Sequence, residues 1–262
     1  MSDEIVTRLR AAGCVFAEEE AALLVEASGS PDELEERVRR RVSGEPLEYV
    51  VGWAEFCGIR MVVEPGVFVP RHRTELLVVR AAELVRHTGR EVPVVLDLCC
   101  GSGALGAALA AVSGPLELYA ADVDAAAVRC ARSNLARAGG EVFEGDLFAP
   151  LPTRLRGRVD VLLANVPYVP TDAIALMPPE ARDHETRATL DGGEDGLDVM
   201  RRVSAGAAEW LAPGGHLLLE SSERQVEAMR EVLAGDGLEP AVLRSDDLGA
   251  TVVTGRRHDT GW

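Results

Sequence analysis

Residues 94–110 read VVLDLCCGSGALGAALA, and this stretch decides the fold. Val94, Val95, Leu96 and Leu98 surround a single acid, Asp97, and lead into Gly101-Ser102-Gly103. A short, nearly unbroken apolar run suits a strand covered on both faces of a parallel sheet. Glycines at its end let the backbone pass close to a ligand, and the alanine-rich helix pattern that follows offers unpaired N–H groups at its start. An ordinary strand-to-helix turn needs glycine too. What stands at the ends of the later strands therefore decides the meaning of this one.

Outward from residue 94 the pattern alternates. Strands are expected at 94–98, 116–121, 141–143, 159–164, 215–220, 240–244 and 250–254, and helices at 103–112, 125–138, 197–211 and 222–234. That rhythm implies an α/β fold with a doubly wound, Rossmann-like parallel sheet of seven strands. The link 245–249 is too short for a parallel crossover, so the last strand is expected to run antiparallel. Upstream, 4–12, 17–27 and 31–42 read as short helices, the third with Ser30 as N-cap. Tyr49 to Phe56 and Ile59 to Val63 read as a β-hairpin around Cys57-Gly58, and 73–87 as a helix. The expected organisation is a small helical domain at 1–45, a hairpin-and-helix linker at 46–90 and the sheet domain at 91–262. One segment breaks the rhythm: 171–196 holds Pro178-Pro179 and Asp191-Gly192-Gly193 without clean periodicity, and its place after a central strand suggests a lid.

Composition narrows the function. Lys and Arg number 27 against 43 Asp and Glu, a net charge of −16, which disfavours a large phosphate-backbone footprint. The five cysteines, Cys14, Cys57, Cys99, Cys100 and Cys130, include no CxxC pair, and the histidines add no metal-ligand spacing, so no metal is expected. No signal peptide or membrane span is apparent. A cytoplasmic monomer with buried thiols is the expectation.

Gly101-Ser-Gly103-Ala-Leu-Gly106 matches GxGxxG, so a nicotinamide dinucleotide has to be weighed. Asp122 closes the second strand, where it suits a ribose hydroxyl in either that cofactor or S-adenosylmethionine. Asp146 follows the third strand, placed to meet an adenine amine. The fourth strand, Val159 to Ala164, ends in Asn165-Val166-Pro167-Tyr168, for which a dehydrogenase has no obvious use. The chain also lacks a second nucleotide-binding half. Methyl transfer from S-adenosylmethionine is the better reading. The candidate cofactor residues are Asp97, Cys99, Cys100, Gly101, Ser102, Gly103, Asp122, Val123, Asp146, Leu147 and Asn165.

At Asn165-Val-Pro-Tyr168 the chain resembles the HemK-like peptide-chain release factor glutamine methyltransferases, whose motif reads NPPY. Similar too are Gly44-Glu-Pro-Leu-Glu-Tyr49, Pro65-Gly-Val-Phe-Val-Pro-Arg71 with Thr74-Glu75, and Pro178-Pro-Glu-Ala-Arg-Asp-His-Glu185 leading to Leu190-Asp-Gly-Gly193. The resemblance spans 44–255. It implies methylation of a glutamine side-chain amide in a protein, a release factor above all, in translation termination. There are departures. Val166 stands for the motif's first proline, Cys99 for the first loop glycine, Pro70-Arg-His-Arg-Thr-Glu75 for a PRPETE-like stretch, and Ser221-Ser222 for Ile-Gly. The helical appendage is shorter than the family's N-terminal bundle. Other acceptors for an Asn-x-Pro-Tyr site are a ribosomal-protein glutamine or a nucleic-acid base amine; a non-catalytic cofactor-binding module is the remaining alternative.

The chemistry explains the motif. An amide nitrogen is a poor nucleophile because its lone pair is delocalised into the carbonyl. A catalyst must hold both N–H bonds with two fixed acceptors: the Asn165 side-chain oxygen and the Val166 carbonyl. Pro167 keeps Val166 extended and carries no N–H, and Tyr168 offers a flat face to the planar amide. Asn165, Val166, Pro167 and Tyr168 are thus the candidate catalytic residues, joined on the substrate side by Phe68 and Arg71.

Overall fold

The computed structural model describes residues 2–258. It opens with α1 (Ser2–Ala11), α2 (Ala17–Ala27) and α3 (Pro31–Val42), the last capped by Ser30, whose hydroxyl accepts from the Glu33 N–H. These helices bury Leu9, Leu24 and Val38 completely in a small core of their own. A short α4 (Leu47–Val51) then ends at Gly52 in the left-handed conformation and leads to β1 (Trp53–Phe56) and β2 (Ile59–Val62). The hairpin forms as expected, with Cys57 and Gly58 both at positive φ in its turn. Its expected first half does not: Tyr49, Val50 and Val51 are helical. That one turn seats Val50 in the helical core and leaves the Tyr49 hydroxyl donating to the Val67 carbonyl at 2.7 Å.

A 3-10 turn at His72–Thr74 runs into α5 (Glu75–His87). The sheet domain follows as β3 (Val94–Leu98), α6 (Ala104–Ser113), β4 (Glu117–Asp122), α7 (Ala125–Leu135), β5 (Glu141–Glu144), β6 (Val159–Ala164), α8 (Pro179–His184), α9 (Asp198–Trp210), β7 (Leu211–Ser221), α10 (Val226–Gly235), β8 (Leu238–Ser245) and β9 (Ala250–Arg257). The seven strands lie in the order β5-β4-β3-β6-β7-β9-β8, and β9 alone runs against the other six. All five residues of β3 and all six of β6 are buried. Their side chains alternate between two cores. Val95, Val161 and Leu163 face α5 and α6, whereas Leu96, Leu98 and Leu162 face α9 and α10. Each fully buried leucine contributes about 1.5–3 kcal/mol relative to exposure.

Strand order reverses between β3 and β6. A parallel sheet leaves a crevice beyond the carboxyl ends of its strands at such a point, and everything functional described below lies there. Over it runs 171–196, which is not a bare loop. It holds a 3-10 turn (Thr171–Leu176), α8 and a second 3-10 turn (Arg187–Thr189). One buried cation ties this segment to the helical end of the chain: Arg41 of α3 binds Glu20 of α2 through two nitrogens and reaches Glu180 of α8 at 2.6 Å.

Candidate active site

The crevice is a cavity whose wall is assembled from four strand ends. β3 supplies Cys99, Cys100, Gly101 and Ser102; β4 supplies Asp122, Val123 and Asp124; the turn after β5 supplies Gly145, Asp146 and Leu147; β6 supplies Asn165 to Tyr168. Phe68 and Arg71 close one side. Most of the residues expected from sequence are thereby brought together.

Two are not. Asp97 is fully buried and shares the parity of Val95, so its side chain points at α6 and accepts from the Gly106 N–H at 3.0 Å. Its other oxygen has no partner among the described residues, and burial pushes its carboxyl up to about 8. Gly103 is likewise a packing glycine. A Cβ there would lie 3.1 Å from Ala131, so its small size brings α6 onto α7.

Backbone geometry at the turn follows from the same demand for closeness. Cys99 and Leu147 take φ of 53° and 47°, which costs a residue with a Cβ about 1–2 kcal/mol. Both strained residues stand at strand ends on the cavity wall. Asp122 is already oriented: its two oxygens accept from the Gly101 N–H (2.8 Å) and the Asp124 N–H (2.9 Å). Desolvation raises its pKa against the pull of these donors. A carboxylate keeps further lone pairs after two such bonds. Asp146 is exposed and ion-paired with Arg202 of α9. Burial raises the thiols of Cys99 and Cys100, which stay protonated and act as packing groups.

Among the described residues nothing hydrogen-bonds the Asn165 side-chain amide, the Val166 N–H or the Val166 carbonyl. The Val166 side chain is buried at 2% exposure in the α9–α10 core, which anchors the loop from below. From Val169 onward the chain is stitched to 190–193. Val169 N–H donates to the Leu190 carbonyl, Gly192 N–H to Val169 and Thr171 N–H to Gly193. Asp191 ties the turn by accepting from the Thr171 hydroxyl and the Gly193 N–H. The middle of segment 171–196 is fixed through Glu185, buried against Arg71 and the Val69 N–H. Arg71 in turn lies over the Phe68 ring at 5.1 Å.

Sequence reasoning missed Arg73, Thr186 and Arg202, which also line the cavity, and named Thr74 only as part of the segment with Phe68 and Arg71. Thr186 sits in the aperiodic segment 171–196. No local spacing marks such groups, since the fold alone brings them to one wall.

The Methyltransferase small domain family matches residues 58–177. A release factor glutamine methyltransferase from Geobacter sulfurreducens is 38% identical over 222 residues, covering 84% of this chain and 76% of that protein. A 4-amino-L-phenylalanine/4-methylamino-L-phenylalanine methyltransferase from Streptomyces pristinaespiralis is 37% identical over 204 residues, covering 76% and 69%. Among solved structures, a methyltransferase from Pyrococcus furiosus superposes with a TM-score of 0.57 at 16% identity, covering 86% of this chain and 99% of that one. That last likeness concerns the fold.

Proposed function

The chain belongs to the release factor glutamine methyltransferase family, and from that premise we propose that it methylates the side-chain amide nitrogen of a glutamine in a peptide-chain release factor. S-adenosylmethionine is the methyl donor, its sulfonium supplying an electrophilic methyl group. The residues present fit it. Asp122 at the end of β4 is an oriented acceptor for ribose hydroxyls, and Asp146 and Leu147 lie where an adenine ring would rest, beside the tight Gly101 turn. Three lining residues, Thr74, Ser102 and Thr186, carry buried hydroxyls with no hydrogen-bond partner among the described residues, and a polar ligand in the cavity would supply one.

The observation that carries the acceptor side is the unengaged pair just after β6, the Asn165 amide and the Val166 carbonyl, on two residues that line the same cavity as Asp122. Asn165 Oδ1 and the Val166 carbonyl accept the two N–H bonds of the glutamine amide. The amide plane is then fixed against Tyr168 and its lone pair is directed across the cavity. Positioning of this kind removes orientational entropy from the barrier and is worth several kcal/mol. No buried base is needed to start the reaction, because the nitrogen becomes strongly acidic only as the new bond forms. Water or a carbonyl then takes the proton.

The Streptomyces relative acts, by its name, on a free aromatic amine, so the decisive experiment offers both acceptors. Isotope-labelled methyl transfer is measured with release factor, with free 4-aminophenylalanine, and with ribosomes and DNA. Label on a release factor glutamine, located by mass spectrometry, is the expected result. Label only on the small amine would overturn the acceptor assignment while leaving methyl transfer intact.

A further inference from the structure

Two of the chain's departures from the family's sequence pattern, Arg73 and Ser222, converge on one residue, Tyr168. Arg73 precedes α5, where a PRPETE-like stretch would carry glutamate. Its Nη2 donates to the Tyr168 hydroxyl at 2.8 Å and its Nε to Glu220 Oε1 at 3.0 Å. The Tyr168 O–H in turn donates to the same Glu220 oxygen at 2.7 Å. Glu220, at the end of β7, is buried at 3% exposure, so this triangle is rooted in the sheet. The other end of Tyr168 is held as well. Gln225 Nε2 donates to the Tyr168 carbonyl at 3.0 Å and to the Asp195 carbonyl at 3.0 Å. Ser222 orients that amide by donating to Gln225 Oε1 at 2.6 Å.

We propose that Arg73 and Gln225 are positioning residues that clamp Tyr168 at its hydroxyl and its carbonyl, supplying the rigidity that the motif lacks because Val166 stands where a proline would stiffen the loop. The proposal rests on the methyl-transfer reading of the Asn165–Tyr168 site.

The clamp does two things. It fixes the ring plane on which a planar acceptor stacks. It also accounts for the one hydroxyl hydrogen: with that hydrogen on Glu220 and Arg73 donating to the phenol oxygen, Tyr168 has no proton left for the acceptor nitrogen. A donor aimed at that nitrogen would occupy the lone pair that must attack. A glutamate at position 73 would face Glu220 with like charge and leave the phenol free to turn.

The test is a set of variants read in two ways. Arg73→Met and Gln225→Leu are each expected to slow single-turnover methyl transfer ten- to a hundredfold, with S-adenosylmethionine affinity by calorimetry within threefold of wild type. Arg73→Lys, which keeps the charge beside Glu220 but loses the fork, should fall between and guards against a folding defect in Arg73→Met. In a Tyr168→Phe background, Arg73→Met should cost less than threefold more. In a Val166→Pro background, the loss from Gln225→Leu should shrink at least fivefold. The second readout needs no acceptor. The chain has three tyrosines, so ring-labelled NMR, assigned with Tyr168→Phe, reports Tyr168 alone. Its ring signals should broaden or average in Arg73→Met. Unchanged ring signals, or equal losses with and without the Tyr168 hydroxyl, would overturn the clamp. Absence of transfer by the wild type with intact ring effects would count against the proposed acceptor instead.

Discussion

Asn165 and Val166 are neighbours with different duties, and substitution separates them. Asn165 contributes an oxygen that no adjacent group replaces. Losing one preorganised partner at a reacting centre costs about 10²–10³ in rate. Asn165→Ala is therefore expected to lose that much turnover, while S-adenosylmethionine affinity changes less because its other contacts remain. Val166 contributes main chain, and its N–H has no partner among the described residues, so Val166→Pro should retain activity or raise it. Single-turnover rates of the two variants decide the point. An inactive Val166→Pro beside an active Asn165→Ala would refute the two-acceptor arrangement. Asp97 makes a prediction of another kind. Burial lifts its carboxyl to about 8, above its unfolded value, so the native state keeps a proton that the unfolded chain has released. Stability from this group is full in acid and declines as pH rises from about 4 to about 8. Asp97→Asn keeps an acceptor for the Gly106 N–H and cannot ionise. Between about pH 5 and pH 8 its Tm should fall less than that of the wild type; equal slopes would show that Asp97 does not titrate there.

At the scale of elements, the sequence was informative wherever burial imposes a period. The β3 and β6 runs, the capped α3 and the reversed β9 all follow from apolar spacing or link length. Tyr49-Val-Val did not, because two β-branched residues after an aromatic read as strand while the helical core needed Val50 on a turn. Among the site residues, those placed at strand ends by chain order, Asp122, Asp146 and Asn165, reach the cavity wall. Asp97 does not, since strand parity turns it toward α6. Arg73 and Arg202 carried no spacing signal at all. The turn 190–193 was legible only as a turn, yet it braces the Asn165–Tyr168 loop. A Cβ on Gly192 would lie 2.6 Å from the Gly196 carbonyl oxygen and 2.7 Å from that of Pro167. Both are backbone, so neither can swing away. Gly192→Ala is expected to destabilise the protein by about 1–3 kcal/mol, read as a lowered urea midpoint. A midpoint equal to wild type would mean the turn does not press on the loop.

For the whole molecule, Arg41 matters beyond its own neighbourhood. One guanidinium, 7% exposed, holds a carboxylate from the helical end and another from α8. The two acids belong to segments separated by about 160 residues of chain, and neither pair exists without that cation. The helical end is therefore not an interchangeable module. A chimera that took its first 44 residues from a relative would have to bring a cation at position 41, with its acid at position 20, to match Glu180, or leave that glutamate unmatched over the crevice. Positions 20, 41 and 180 form one electrostatic unit that joins the helical end of the chain to α8 beside the sheet.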